Sequence, residues 1–195
     1  MMIKAKEKPI IFSTLLIPAI QNLKPNTWPP EPIDPGKPWK WQTRRIIKPQ
    51  PHAGIRKKPP YQPGNMLWVR EPWARISDWT EVDPDVGLND GYIYSADWHD
   101  TEHPEWRPSI HMPKEAARLF LEVKNVRVER LQTITEEDAT AEGMSKTLVD
   151  GVTFISAKGK FHALWDTLYA KRGHPWENNP WVWVYEFMRT EVSAP

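Results

Sequence analysis

The chain has 195 residues, 39% of them hydrophobic, which suits one domain over residues 1–195 with sizeable loops. It contains no cysteine, so disulfides, zinc–thiolate sites and thiol nucleophiles are excluded. The net charge is only +1, and the charged N-terminus precedes too short an apolar run for a signal peptide or membrane span, so we expect a cytoplasmic protein without a membrane partner.

The first elements are predicted from short apolar patterns. Residues 10–12 form an apolar run that predicts a strand, and residues 15–23 carry apolar side chains at helical spacing, with Pro18 tolerable only in a first turn. Six prolines between residues 25 and 38 exclude a regular helix or a central strand. We therefore expect an extended surface segment there.

A basic run follows, with eight Lys or Arg and no acid between residues 37 and 58. It contains the cluster Lys40–Arg45, and Trp39, Trp41 and His52 are interleaved with the charges. Such a run is typical of a surface that holds phosphates by charge and bases by stacking. A solvated basic face is the alternative, and the acidic run over residues 78–105 could also neutralise it.

The remaining elements predict a mixed fold in which strands outnumber helices. Strands are expected at 66–71, 91–96, 118–130 and 181–188, and in the third of these the alternation slips near Lys124-Asn125, which indicates a β-bulge. Thr135 with Asp138 resembles a capping box for a short helix that Gly143 ends. An apolar stripe over 161–168 predicts a second helix. The sum is an α+β fold, a small mixed barrel with flanking helices.

Lys40 and Thr43 are three residues apart, which brings an ammonium and a hydroxyl together on a helical turn or in a tight loop. A threonine becomes a nucleophile when a neighbouring base takes its proton, and a lysine serves as that base when its pKa falls from about 10.4 toward roughly 7 to 8. The neighbouring cations and the tryptophans favour such a fall. A solvated lysine and a capping threonine are the alternative.

Glu142 is predicted at the C-terminal end of the short helix, where the helix dipole disfavours a negative charge. A cation brought near by the fold would compensate, and Lys40 and Arg44 are the candidates. An exposed glutamate without a role is the alternative.

Arg70, Glu71 and His111 are polar residues in apolar or proline-bounded segments, so each is a candidate for binding or for a structural hydrogen bond. The pair His99-Asp100 with His103 lies in an acidic, loop-like stretch, and we predict no metal there. The chain has no Gly-rich phosphate loop, nucleophile elbow or zinc-protease helix, and we expect no cofactor.

Six segments in order resemble phage and prophage proteins with an ASCH (activating signal cointegrator homology) domain, a branch of the PUA-like superfamily. The match covers most of the chain and includes the Lys-x-x-Thr-Arg core at 40–44; the segments are 8–13, 40–51, 64–71, 106–113, 128–144 and 180–187. The resemblance implies a curled mixed β-barrel with flanking helices at its mouth. It also implies a cleft for a nucleobase or an RNA strand.

The small bacterial ASCH enzymes that hydrolyse N4-acetylcytidine use a Lys, a Thr and a Glu, and the resemblance places these roles on Lys40, Thr43 and Glu142. The chain departs from the family at Trp41, which replaces a small residue, and at Asn65, where Asp is usual. Relative to the compact enzymes it also has insertions at about 22–39, 73–105 and 146–160, which would cover the mouth of the barrel.

Three functions follow as hypotheses. In an amidohydrolase acting on an acylated nucleobase, Thr43 attacks the carbonyl, Lys40 accepts its proton, Glu142 orients the lysine or protonates the leaving amine, and Arg44 binds substrate or the oxyanion. In a reader of single-stranded RNA or a modified base, the cleft and Trp41 hold the base, while Arg44, Arg45, Lys48 and residues 56–58 hold phosphates. In a phage protein-interaction role, the partner is unknown and an exposed apolar patch among the tryptophans would be the sign.

Overall fold

The computed structural model describes residues 7–51, 57–78, 91–99, 101, 103–149 and 153–191. The strands are β1 (Glu7–Ile11), β2 (Gln42–Ile46), β3 (Met66–Arg70), β4 (Trp73–Arg75), β5 (Tyr92–Tyr94), β6 (Phe120–Arg130), β7 (Thr147–Val149), β8 (Thr153–Ile155) and β9 (Trp181–Thr190). The helices are α1 (Ile17–Gln21), α2 (Glu136–Ala141) and α3 (Ala157–Tyr169).

The main sheet has five strands in the order β1-β3-β6-β9-β2, in which only β1 and β3 are parallel. Two small hairpin sheets, β4-β5 and β7-β8, lie outside it. The predicted α+β class is thus confirmed as a mostly antiparallel sheet with few helices. No ladder joins the outer strands β1 and β2 in the part of the chain that the structure describes, so no closed barrel is found there.

The sheet nevertheless curls, because side chains connect its two outer strands. Arg45 of β2 donates a hydrogen bond from Nη2 to the carbonyl of Ile11 in β1, and its guanidinium lies 5.2 Å from the Phe12 ring. The inner face of the curl is filled by buried side chains from all five strands or their ends, including Phe12, Leu67, Leu121 and Phe187. The outer face of β9 packs on α2 and α3 through a second buried cluster.

Residues 181–188 are apolar on both parities except at Glu186, a pattern that predicts a strand covered on both faces. The strand β9 has this coverage. Trp183, Tyr185 and Phe187 belong to the inner core, whereas Val182 and Val184 belong to the outer cluster. The expected bulge is also present, since the register of β6 against β9 shifts between Val123 and Asn125.

The first helix is shorter than its apolar spacing predicts. A 3₁₀ turn (Thr14–Leu16) leads into α1, with Pro18 in the first turn, and the chain leaves the helix at Asn22. The side-chain amide nitrogen of Asn22, Nδ2, donates to the carbonyls of Asp34, Lys37 and Pro38. This side chain holds the proline-rich segment against the end of α1, so the helix ends where that segment begins.

The strand expected at 91–96 is also shorter. It covers only β5, which pairs with β4 rather than with the main sheet, and Ser95 begins a 3₁₀ turn. Within the described ranges, none of the helices is long and apolar enough to cross a membrane.

The helix α2 begins with the predicted capping box, because the Thr135 hydroxyl accepts from the Asp138 amide and the Asp138 carboxylate accepts from the Thr135 amide. It ends at Glu142, followed by Gly143 at a φ of 92°. A Cβ at Gly143 would lie 3.2 Å from the Cβ of Lys40 and 3.4 Å from the side chains of Leu16 and Ala19. The glycine therefore lets the chain turn close beside Lys40.

We predict that Gly143→Ala destabilises the protein more than Gly173→Ala. Gly173 also has a left-handed φ, of 80°, but a Cβ added there would meet no atom of the described residues within 4 Å, so its substitution costs only backbone strain of about 1 kcal/mol. Crowding against Lys40 should add at least about 1 kcal/mol at Gly143. Urea unfolding of both variants measures the difference, and equal losses would contradict the close packing.

Candidate active site

The backbone of Lys40 is fixed between α1 and the end of α2, immediately before β2. The Lys40 amide donates to the Ala19 carbonyl at 2.9 Å, and the next amide, that of Trp41, donates to the Ala141 carbonyl at 3.0 Å. Lys40 and Glu142 also form an isolated β-bridge. Lys40 is therefore in an extended segment and Thr43 lies in β2, so the helical turn and the tight loop expected for this pair are both wrong.

The Lys40 side chain is fully buried, and its ammonium has three acceptors. Nζ lies 2.7 Å from the Gln42 carbonyl, 2.9 Å from the Glu142 carbonyl and 2.7 Å from Glu142 Oε2. Three acceptors match the three protons of an ammonium, so the charge is compensated without water.

Glu142 is the C-cap of α2 and is only 4% exposed. Both cations that the sequence nominates for it are in contact: Lys40 on Oε2, and Arg44 Nη1 on Oε1 at 3.3 Å. These two positive charges offset the unfavourable position of a carboxylate at a helix C-terminus.

Arg44 lies in a wider network on the outer face of β2. Its Nη2 is 3.0 Å from Glu129 Oε2 and 2.9 Å from Asp138 Oδ2, and the side chain is fully buried. Asp138 also accepts from Gln42 and Arg127. Arg44 is thus engaged by three carboxylates, which makes it a support for Glu142 rather than an open phosphate-binding group.

Burial lowers the pKa of Lys40 from its ordinary value, and the nearby charges of Arg45 and Arg44 lower it further. The Glu142 carboxylate acts in the opposite direction on that pKa, by charge and by its hydrogen bond. Desolvation is the larger influence, so the amine is more easily deprotonated than an exposed lysine.

Lys40, Thr43 and Glu142 line one small cavity, in which the centres of water molecules can occupy about 50 Å³. Its polar wall also includes Ser13, Arg44 and Arg45. The opposite wall is apolar and comes mainly from α3: Phe161, Leu164, Trp165, Leu168 and Tyr169. None of the described residues of 22–39, 73–105 or 146–160 lines it, so the site is covered by the part of α3 that follows the third insertion.

Thr43 is 4% exposed and lies on the inner face of the sheet, opposite Tyr185 of β9. Within the described part of the chain, no hydrogen bond between the Thr43 hydroxyl and Lys40 Nζ is formed; the Nζ protons point to Gln42 and Glu142 instead. The two groups nevertheless face the same cavity.

Phe12, Ser13 and Asp138 belong to this site and were missed from the sequence. The Phe12 ring is 5.5 Å from Lys40 Nζ and 5.2 Å from the Arg45 guanidinium, so it makes cation–π contacts with both. Asp138 is four residues before Glu142, so helical spacing places both on one face, a signal available in the sequence. Phe12 and Ser13 follow β1, and only the curl of the sheet brings them to β2.

The remaining predicted binding residues lie elsewhere. Glu71 is buried and paired with Arg118, with two hydrogen bonds of 2.9 and 2.8 Å, and burial raises its pKa. Arg70 lies over the Trp68 ring, and His111 is exposed in a 3₁₀ turn. Trp41 packs edge-on against Trp28 and does not line the cavity.

The described residues of the basic run do not form a continuous surface. Lys40 and Arg44 are buried among carboxylates, whereas Lys48, Lys57 and Lys58 are exposed. His52 and Arg56 lie outside the described residues, as do Asp100 and most of the acidic run. Asp97, which is described, pairs with Arg118 rather than with a basic-run residue.

His162, Asp166 and Glu177 bring their ligand atoms within 4.8 Å of one another on the far side of α3. Asp166 already accepts from the Trp176 amide, and the His162 ring stacks on Trp176 at 4.6 Å. These contacts explain the cluster as packing of the turn after α3.

No family model, curated protein or solved structure matches this chain. The function of the site is therefore inferred from its geometry.

We predict that Lys40→Met lowers the free energy of unfolding by about 3 kcal/mol at neutral pH, because Glu142 loses one of its two cations. The folded pKa of Lys40 is lowered below 10.5, so the unfolded chain binds more protons between the two values, and the stability that Lys40 contributes rises with pH there. The difference in free energy of unfolding between wild type and Lys40→Met should therefore increase as the pH rises toward 10.5.

The matched control is Lys24→Met, which removes an exposed Lys–Glu pair of the same 2.7 Å length. It should cost less than about 1 kcal/mol. Urea unfolding at several pH values gives both quantities. A Lys40→Met gap that stays flat or narrows with rising pH would show that the pKa of Lys40 is not lowered by burial.

Proposed function

We propose that this chain is an ASCH-domain protein of the PUA-like superfamily, with the sheet as part of its curled barrel, and that it hydrolyses an amide on an acylated nucleobase such as N4-acetylcytidine. The observation that carries the proposal is the buried Lys40–Glu142 ion pair, on the wall of a cavity that Thr43 also lines. A phage or prophage origin and action in the bacterial cytoplasm are part of the same proposal.

Thr43 supplies the nucleophile. Its hydroxyl oxygen attacks the acyl carbonyl carbon while Lys40, as the neutral amine, takes the hydroxyl proton. The intermediate then breaks its bond to the exocyclic nitrogen, which leaves as cytidine after it receives that proton. Water hydrolyses the acyl-threonine to acetate and restores the hydroxyl.

Lys40 must lose a proton before it acts as the base, and its buried position favours this loss. Glu142 holds Nζ at 2.7 Å and fixes the amine beside the Gln42 carbonyl, one peptide from Thr43. Arg44 in turn holds the other oxygen of Glu142, so this proposal gives Arg44 a positioning role.

The cavity suits an acyl group better than a whole nucleoside. Its solvent space corresponds to a few water molecules, about the size of an acetyl group. The apolar side chains of α3 would contact the methyl group and exclude bulk water from the reacting carbonyl. The proposal therefore places the acyl end inside and the pyrimidine ring toward the opening.

Reading of RNA without chemistry is less well supported, because Lys40 and Arg44 are paired with acids and buried. No specific observation on the described residues supports a protein-interaction role either. Among the described residues, Trp28 is the only tryptophan in the group of strongly exposed apolar side chains.

Thr43→Val should lower turnover of N4-acetylcytidine by about a thousandfold or more, since it removes the nucleophile but keeps the shape. Chromatography of the released cytidine measures this loss. Thr167→Val is the control, because Thr167 lies exposed on α3 and its hydroxyl donates to the Ala163 carbonyl, away from the cavity.

If the wild type hydrolyses N4-acetylcytidine and Thr43→Val is equally active, Thr43 is excluded as the nucleophile. Absence of turnover by folded wild type would exclude this substrate class.

A further inference from the structure

A second and larger cavity lies at the gap between β1 and β2, where the centres of water molecules can occupy about 340 Å³. Its polar side chains are Arg45 and Arg70, and its aromatic ones are Tyr61, Trp183 and Tyr185. Arg45 also lines the first cavity, but the other four residues do not.

The two guanidinium groups have no carboxylate partner among the described residues. Arg45 donates to the Ile11 carbonyl, and Arg70 donates from Nη1 to the Ile110 carbonyl at 3.0 Å. The Nε–H of each is buried and has no acceptor within the described ranges. Both arginine side chains are half-buried and carry a positive charge that no described carboxylate compensates, so an anion in this cavity would gain charge-assisted hydrogen bonds from them.

Tyr185 also borders this cavity. Tyr185 is fully buried, and its hydroxyl proton has no acceptor among the described residues. Burial raises the pKa of Tyr185, so the hydroxyl keeps its proton.

The walls are apolar as well as cationic. The Tyr61 and Tyr185 rings meet edge to face, with centroids 5.3 Å apart, and Trp183 continues the aromatic surface along β9. A bare inorganic anion would leave this surface without contacts, and a neutral ring would leave the guanidinium groups unpaired.

We propose that this cavity is a binding site for a small aromatic carboxylate. Arg45 and Arg70 hold the carboxylate by charge-assisted hydrogen bonds, and Tyr61 and Trp183 contact the ring. The site goes beyond the proposed hydrolysis and does not rest on it, since Arg70, Tyr61 and Trp183 do not line the first cavity.

The test is calorimetric titration of the full chain with three probes. Indole-3-acetate carries the ring and the charge, indole-3-acetamide carries the ring without the charge, and inorganic phosphate carries the charge without the ring. We expect indole-3-acetate to bind with a dissociation constant below about 1 mM and each of the other two at least about tenfold more weakly.

Arg70→Gln should weaken binding of indole-3-acetate at least about tenfold and leave binding of the amide unchanged. Arg130→Gln is the matched control: Arg130 lies over a tryptophan ring at 4.3 Å, as Arg70 does at 4.5 Å, and each arginine donates to a carbonyl at 3.0 Å. Arg130 does not line the cavity, so its variant should bind as wild type does.

Equal binding of acid and amide, equal binding of acid and phosphate, or wild-type affinity in folded Arg70→Gln would overturn the proposal. If Arg70→Gln does not fold, wild-type NMR decides. The Trp183 indole N–H, assigned with Trp183→Phe, and the Tyr61 amide should shift with indole-3-acetate and not with the amide, and unshifted signals would overturn it.

Discussion

The buried ion pair between Lys40 and Glu142 is the contact on which the candidate site depends. Residues 102 positions apart are joined by a 2.7 Å charge-assisted bond, and among the described residues no other carboxylate contacts the fully buried ammonium. Removing either partner would leave a charge in a medium that solvates it poorly. The end of α2, the start of β2 and the turn at Gly143 are therefore fixed together.

The alternation of β2 separates two kinds of chemistry. Gln42 and Arg44 face outward into the carboxylate network that holds Glu142, and Arg44 also lines the first cavity, whereas Thr43 faces inward to the first cavity and Arg45 lines both cavities. One strand thus presents the proposed nucleophile on one face and its electrostatic support on the other. Arg45 lies where the two cavities meet, so substrate and aromatic carboxylate would approach the same strand from different sides.

Local patterns predicted much of the fold, including the capping box of α2, the bulge of β6 and the double-sided burial of β9. The helix dipole indicated that Glu142 requires a nearby cation, and both candidates, Lys40 and Arg44, contact it. Contacts set by the curl of the sheet were not predictable, because nothing near Phe12 in sequence places it beneath Lys40. The density of positive charge in the basic run suggested a phosphate-binding surface, but composition does not say which of its arginines are buried, as Arg44 is.

The most direct measurement is an NMR titration of the protein with labelled lysine side chains. The Lys40 signal should titrate below the exposed lysines, because burial lowers its pKa, and in Glu142→Gln it should titrate lower still, because the carboxylate that raises the pKa is gone. A Lys40 signal that titrates together with the exposed lysines and does not move in Glu142→Gln would contradict the buried pair and the catalytic role built on it.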